Sequence, residues 1–409
     1  MRYNICTIFK KVFLEGVVMA VIVEKKDAQY FENRKRRHRR IIGTIVLSII
    51  IVAVVAILFI IYQLNNITYS NYIITDSVER TDGAYTDYIN YKDGIVRYSK
   101  DGAMFIDIHG DSIWNSTYDM NNPTPNIADD YLIISDVGNK RIELFNATGH
   151  INSLEVIYPI IKAEVASQGV VSVLMDGEDV NYLQVFSSTG QTLIDSRTTI
   201  EQNGFAVDFS MSDDGQRLVT TYISISKGLI QSKITFYNFG MVGQNYEDKI
   251  VAGFDYGQTL VSKVEFINKD TVCIFGDDKF GIYSMEEIPK LLYEETFNAE
   301  VKSIAYSDEY IAIIQKNMEG EGRYLLSVYN RTGEKILLKE VSYYYDDFKI
   351  YKDELIFKSS TDINILRLNG KEKFNYSFDK TIDNIISTPL KEEYLLFEQA
   401  NINRIKLIK

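Results

Sequence analysis

Phe145–Gly149 reads FNATG, and the pattern returns as FSSTG at Phe186–Gly190 and as YNRTG at Tyr329–Gly333. Two of the three copies contain an Asn-x-Thr sequon, so a modification signal, a ligand loop and a repeated turn are the three readings to separate. The neighbouring residues favour the turn. Asn, Ser and Thr hydrogen-bond their own backbone, and Gly supplies a positive φ. Each copy closes an alternating, β-rich run: RIELFNATG, YLQVFSSTG, LLSVYNRTG. MFIDIHG, ITFYNFG and ILRLNG close in the same way, and GIYSMEE departs from the pattern.

A second element recurs upstream of these turns, as an apolar residue, a polar step, an acidic turn and a β-run. The copies begin at Tyr91 (YKDGIVRYS), Ile127 (IADDYLIIS), Ala166 (ASQGVVSVL), Met211 (MSDDGQRLVTTY), Ile267 (INKDTVCIF), Tyr306 (YSDEYIAII), Tyr351 (YKDELIFKS) and Leu390 (LKEEYLLFE). The intervals are 36, 39, 45, 56, 39, 45 and 39 residues. The third position is acidic except at Gln168 and Lys269. Each unit reads as strand A, acidic turn, strand B, loop, strand C, Gly turn, strand D. Four antiparallel strands in about 40–45 residues is the arithmetic of a β-propeller blade. The last unit supplies three strands before Lys409, and the run SNYIITDSV (Ser70–Val78) stands before the first blade. Added to the last blade, it would close the ring and remove an exposed edge. The expectation is an all-β, eight-bladed propeller over residues 70–409, with seven blades as the alternative.

Ahead of the repeats, Ile41–Tyr62 is a 22-residue run without a charge. As a helix it covers about 33 Å, enough to cross a membrane. The basic cluster RKRRHRR precedes it, with Arg34, Lys35, Arg36, Arg37, Arg39 and Arg40, and no Lys or Arg follows the run until Arg80. The positive-inside rule places residues 1–40 in the cytoplasm and residues 63–409 outside, joined by a short linker at 63–69. The cluster also suits anionic lipid headgroups. The run is longer than a signal-peptide core and no cleavage site follows it, so it reads as an uncleaved signal anchor. The patch Val12–Val23 is short and broken by Glu15, and Met19 offers a second candidate start.

Charge divides the same way. Residues 1–62 carry a net +7 and the remainder a net −19. An acidic body argues against a nucleic-acid partner. Cys6 and Cys273 make no disulfide framework or zinc pattern, and Cys273 reads as a buried apolar residue.

The blade pattern, clearest in YSKDGAMFIDIHGDSIW at Tyr98–Trp114, resembles the PQQ-like and WD40-like bacterial propellers. It also looks like an uncharacterised family of single-span, membrane-anchored propellers of low-GC Gram-positive bacteria. The resemblance implies a scaffold beside a membrane. Cofactor-dependent members stack PQQ on tryptophan and hold calcium. This chain has one tryptophan, Trp114, placed by the pattern at a C–D turn, and matches neither their docking motifs nor their calcium ligands. No cofactor and no metal are expected.

No GxSxG, HExxH or P-loop is present. His38 lies in the basic run, and His109 and His150 lie at or beside C–D turns. Paired acids at Asp129–Asp130 and Asp213–Asp214 fall in A–B turns, where Asp serves turn hydrogen bonding. The opposite end of each blade carries the B–C loops (SKDGA, DVGNK, MDGEDV, GDDK, KNMEGEGR, SSTD) and the D–A connections, including NNPTPN and YYYDD. They bring Asp101, Asp136, Asp176, Asp179, Asp277, Asp278, Glu319, Glu321, Asp362 and Tyr343, Tyr344, Tyr345, Asp346, Asp347 to one rim. Tyrosine beside acids suits a protein or glycan partner. The leading reading is a non-enzymatic, extracytoplasmic binding scaffold. An envelope hydrolase or lyase built on propeller carboxylates, and a ligand sensor signalling through a partner, are the alternatives.

Overall fold

The computed structural model describes residues 4–64, 66–80, 86–107, 110–318 and 320–409. The side chains of Cys6, of the Val12–Val23 patch, of His109 and of Glu319 lie outside what is described. The chain forms two units, Met1–Ile67 and Thr68–Lys409. The first is one α-helix, Asn4–Leu64. Its segment Tyr30–Phe59 is long and apolar enough to cross a membrane, and Arg34–Arg40 fall inside it.

The second unit consists of eight four-stranded antiparallel sheets, the blades of a β-propeller. Blades 1 to 7 run consecutively as Asp87–Thr117, Pro123–Glu155, Ile160–Thr199, Phe205–Gly257, Val261–Thr296, Val301–Val341 and Asp347–Ser377. Blade 8 takes Ile382–Ser387, Glu393–Glu398 and Asn401–Ile408 from the C-terminal end and its outermost strand, Asn71–Glu79, from the N-terminal side. Asn71 pairs with Ile408 and Glu79 with Asn401. The backbone groups of Asn401–Ile408 would otherwise form an open sheet edge.

The turn motifs sit where the repeat puts them. Asn146 Oδ1 accepts from the Thr148 N–H (2.9 Å), the Thr148 hydroxyl (2.8 Å) and the Gly149 N–H (3.1 Å). Asn330 Oδ1 does the same for Thr332 (3.0 and 2.8 Å) and the Glu334 N–H (2.9 Å). In FSSTG the Ser187 hydroxyl accepts from the Gln191 N–H at 3.1 Å. Gly333 has φ 88°, and a Cβ there would lie 2.2 Å from the Tyr293 ring. Conformation and space therefore both demand glycine.

The core is distributed between blades, as expected where each sheet is too small to bury its own faces. Trp114, Phe105, Leu132 and Phe145 fill the space between blades 1 and 2. Val219, Phe236, Val264 and Ile274 join blades 4 and 5, and Tyr88, Ile95, Ile386 and Phe397 join blades 8 and 1. Trp114 is not at a turn. It lies on the outermost strand of blade 1, buried and stacked on Phe145 with centroids 4.9 Å apart. The outer strand already begins at Ser112, so Trp114 is a strand residue and its indole packs between the sheets. Cys273 is fully buried, and burial pushes its thiol well above the ordinary value.

Candidate functional site

The alternating strand directions give the propeller two faces. A–B and C–D turns share one, called the turn face; B–C loops and D–A connections share the other, the loop face. The chain enters the propeller on the turn face. Tyr69 donates its hydroxyl to Glu392 (2.9 Å) in the A–B turn of blade 8, and its N–H bonds to the Lys373 carbonyl (2.8 Å).

The acidic rim residues occupy loop-face positions in unequal environments. Asp101, Asp179, Asp277, Asp278, Glu321 and Asp346 are exposed. Asp136 is buried, and its Oδ1 accepts the N–H groups of Asn121 (3.0 Å) and Asn122 (2.8 Å), pinning the D–A connection. Asp176 accepts the Glu178 N–H (3.0 Å) and Asp277 the Leu260 N–H (2.8 Å). The Ser377 hydroxyl, helped by those of Ser359 and Thr361, holds the Asp362 carboxyl below the usual range. Asp347 pairs with Lys349 at 2.7 Å.

The three tyrosines also differ. Tyr343 and Tyr345 pack against Phe357, in the core between blades 6 and 7. Burial, with the Glu372 carboxylate, pushes the Tyr343 hydroxyl up to about 12. Tyr344 alone is mainly exposed, at 65%, with the Arg323 guanidinium 3.9 Å from its ring centroid.

Three further features were not read from the sequence. The first lines the inner strands of blades 3 to 5. Lys162 Nζ lies 2.8 Å from both Glu164 and Asp208 and 2.7 Å from the Phe209 carbonyl. Each carboxylate also accepts a backbone N–H from the next blade: Met211 (2.8 Å) to Glu164, and Val264 (2.9 Å) to Asp208. Asn126 receives the Val165 N–H (2.8 Å) and Ser210 the Phe266 N–H (3.0 Å) in the same manner. The innermost strand of a blade has an unpaired edge, and these side chains satisfy it. Burial alone would depress the Lys162 amine, but Glu164 and Asp208 outweigh it and hold the lysine charged. The cluster stitches blades together.

The second feature is a groove of about 540 Å³ on the turn face at the seam of blades 8 and 1, walled by Ile95, Ile106, Ile386, Leu395 and Ile402, with Lys92 and Arg404 among its polar residues.

The third is the B–C hairpin of blade 4. Its strands, Arg217–Ser226 and Leu229–Asn238, are each 10 residues long and pair to the tip at Lys227–Gly228. Strand A begins only at Phe205, opposite Ile223, and strand D ends at Gly257, opposite Ser232. The last three pairs of the ribbon therefore extend past both flanking strands. Ile225 and Ile230 face each other across it, 77% and 48% exposed. The signal for this feature was the 56-residue interval between the acidic turns of blades 4 and 5, the longest in the series.

Eight four-stranded blades around a ring define the chain as a β-propeller protein. More narrowly, it belongs to the family of unknown function DUF5711, whose model matches residues 65–407. No curated protein matches it in sequence. Among solved structures it is similar to BamB from Moraxella catarrhalis, with a TM-score of 0.51 and 12% identity over 82% of this chain and 100% of that one. The Pan2 WD40 domain of Neurospora crassa gives a TM-score of 0.42 and 10% identity over 70% of this chain and 89% of that one. At such identity the likeness to BamB concerns the fold.

Proposed function

We propose that the protein is a non-enzymatic binding scaffold, anchored in the membrane by Ile41–Tyr62 and displaying its propeller outside, with the loop face as the binding surface. One observation carries this reading. The propeller's first strand starts on the turn face, seven residues after the apolar helix ends at Leu64. The chain thus joins the propeller on the turn face, and no part of the loop face is taken up by that connection. The basic cluster Arg34–Arg40 before the helix, with no Lys or Arg after it until Arg80, supports a cytoplasmic N-terminus.

The hydrolase alternative needs carboxylates able to exchange protons with a substrate. Glu164 and Asp208 share one lysine and each accepts a backbone N–H, and although burial pushes the Glu164 carboxyl up, Lys162 and the Met211 N–H hold it in place. This favours structural duty over catalysis.

Purification of the full chain from detergent-solubilised membranes tests the scaffold. A Y344S/D346N variant of the loop face should lose co-purifying protein at least tenfold, whereas M241S on the turn face should keep it. Equal recovery from both variants would remove Tyr344 and Asp346 from the binding surface.

A further inference from the structure

Resting on the scaffold reading, we infer that the tip of the blade 4 hairpin is its docking element, and that it inserts into an apolar cleft bordered by Lys or Arg on an extracytoplasmic protein. Ile225 and Ile230 form a cross-strand pair on one side of the ribbon. Ile223 stands two residues back on the same side, and Phe205 lies opposite it on strand A. The four make one apolar strip running from the blade to the tip. Leu229, 48% exposed, sits on the other side of the ribbon. Exposed isoleucines at the end of a projecting ribbon contribute nothing to the core, and such a strip marks an interaction site.

Charge selects the occupant. On the blade 3 side, exposed Asp179 and Glu201 flank the ribbon. The Ile200 N–H bonds to the Asp179 carbonyl at 3.1 Å, and the one-turn segment Ile200–Asn203 packs beside the strand Arg217–Ser226. On the blade 5 side stands exposed Asp278, and exposed Asp255 lies on the outermost strand of blade 4, directly across from Lys233. An apolar ridge between acidic flanks is complementary to an apolar cleft with basic edges. An anionic membrane would be repelled by the same acids. A second copy of this chain would bring two acidic loop faces together.

Photo-crosslinking in cells expressing the full chain tests this, with benzoylphenylalanine at Ile225 or Ile230. Position 344 reports the rest of the loop face and position 241 the turn face. The expected result is a protein adduct at 225 and 230 that falls at least tenfold in a D179N/E201Q/D255N/D278N background and is absent at 241. All the altered residues are exposed, and an unchanged thermal transition verifies the fold. Adducts at 344 without any at 225 or 230 would overturn the hairpin and leave the scaffold standing. No adduct at any loop-face position would overturn both. Lipid adducts, a self-adduct of twice the chain mass, or an adduct indifferent to the four neutralisations would each overturn the basic-edged protein as the occupant.

Discussion

Lys373 is buried between blades 7 and 8, paired with Glu354, hydrogen-bonded to the Lys391 carbonyl and 2.8 Å from the Tyr394 hydroxyl, which itself donates to Glu354 at 2.5 Å. Removing one partner of such a pair strands a charge. K373M should cost about 3–5 kcal/mol, whereas the double variant K373M/E354L should recover most of it, read from urea midpoints. The stacked rings of Trp114 and Phe145 set a second expectation, since F145A leaves a cavity between blades 1 and 2 at about 3–5 kcal/mol. Asp214 contributes a pH dependence of stability. Burial pushes its carboxyl up, but the Ser212 hydroxyl, the Gln216 N–H and Arg217 outweigh burial and hold it below the ordinary value. A depressed folded value means stability that is complete above about pH 4 and lost as pH falls through the lower folded value. The gap in urea midpoint between the wild type and D214N should therefore be largest at pH 7 and close towards pH 2.

At the scale of the element, the turns were legible and the belts between blades were not. FNATG and its relatives could be read because Asn146, Asn330 and their glycines act within five residues of one another. The acidic A–B turns could be read because they recur at a near-constant interval. Glu164 in KAEV and Asp208 in AVDF look like ordinary polar positions of alternating strands. Their partners, the N–H groups of Met211 and Val264, lie 47 and 56 residues away and meet them only once the ring forms. Asp136 and Tyr343 were read as rim because the strand pattern gives their end of the blade but not their depth. The sequence YISISKGLIQ shows the alternation and the Lys-Gly turn of the blade 4 hairpin, yet only the flanking strands reveal that the ribbon outruns them. The closing strand was legible from arithmetic, three strands at one end and one at the other. Removing residues 1–80 should expose the edge of Asn401–Ile408 and drive self-association, visible as loss of the monomer peak in size-exclusion chromatography.

For the whole molecule, the proposal is that the propeller and its acidic loop face lie outside the cell membrane and that residues 1–40 lie inside. Single cysteines report this most directly, one before the span (K35C, in a C6S background) and one on the loop face (D278C). Native Cys273 is buried and silent in the folded protein. Intact cells treated with a membrane-impermeant maleimide should label D278C fully and K35C only after lysis. Labelling of K35C in intact cells, with D278C protected until lysis, would contradict the account.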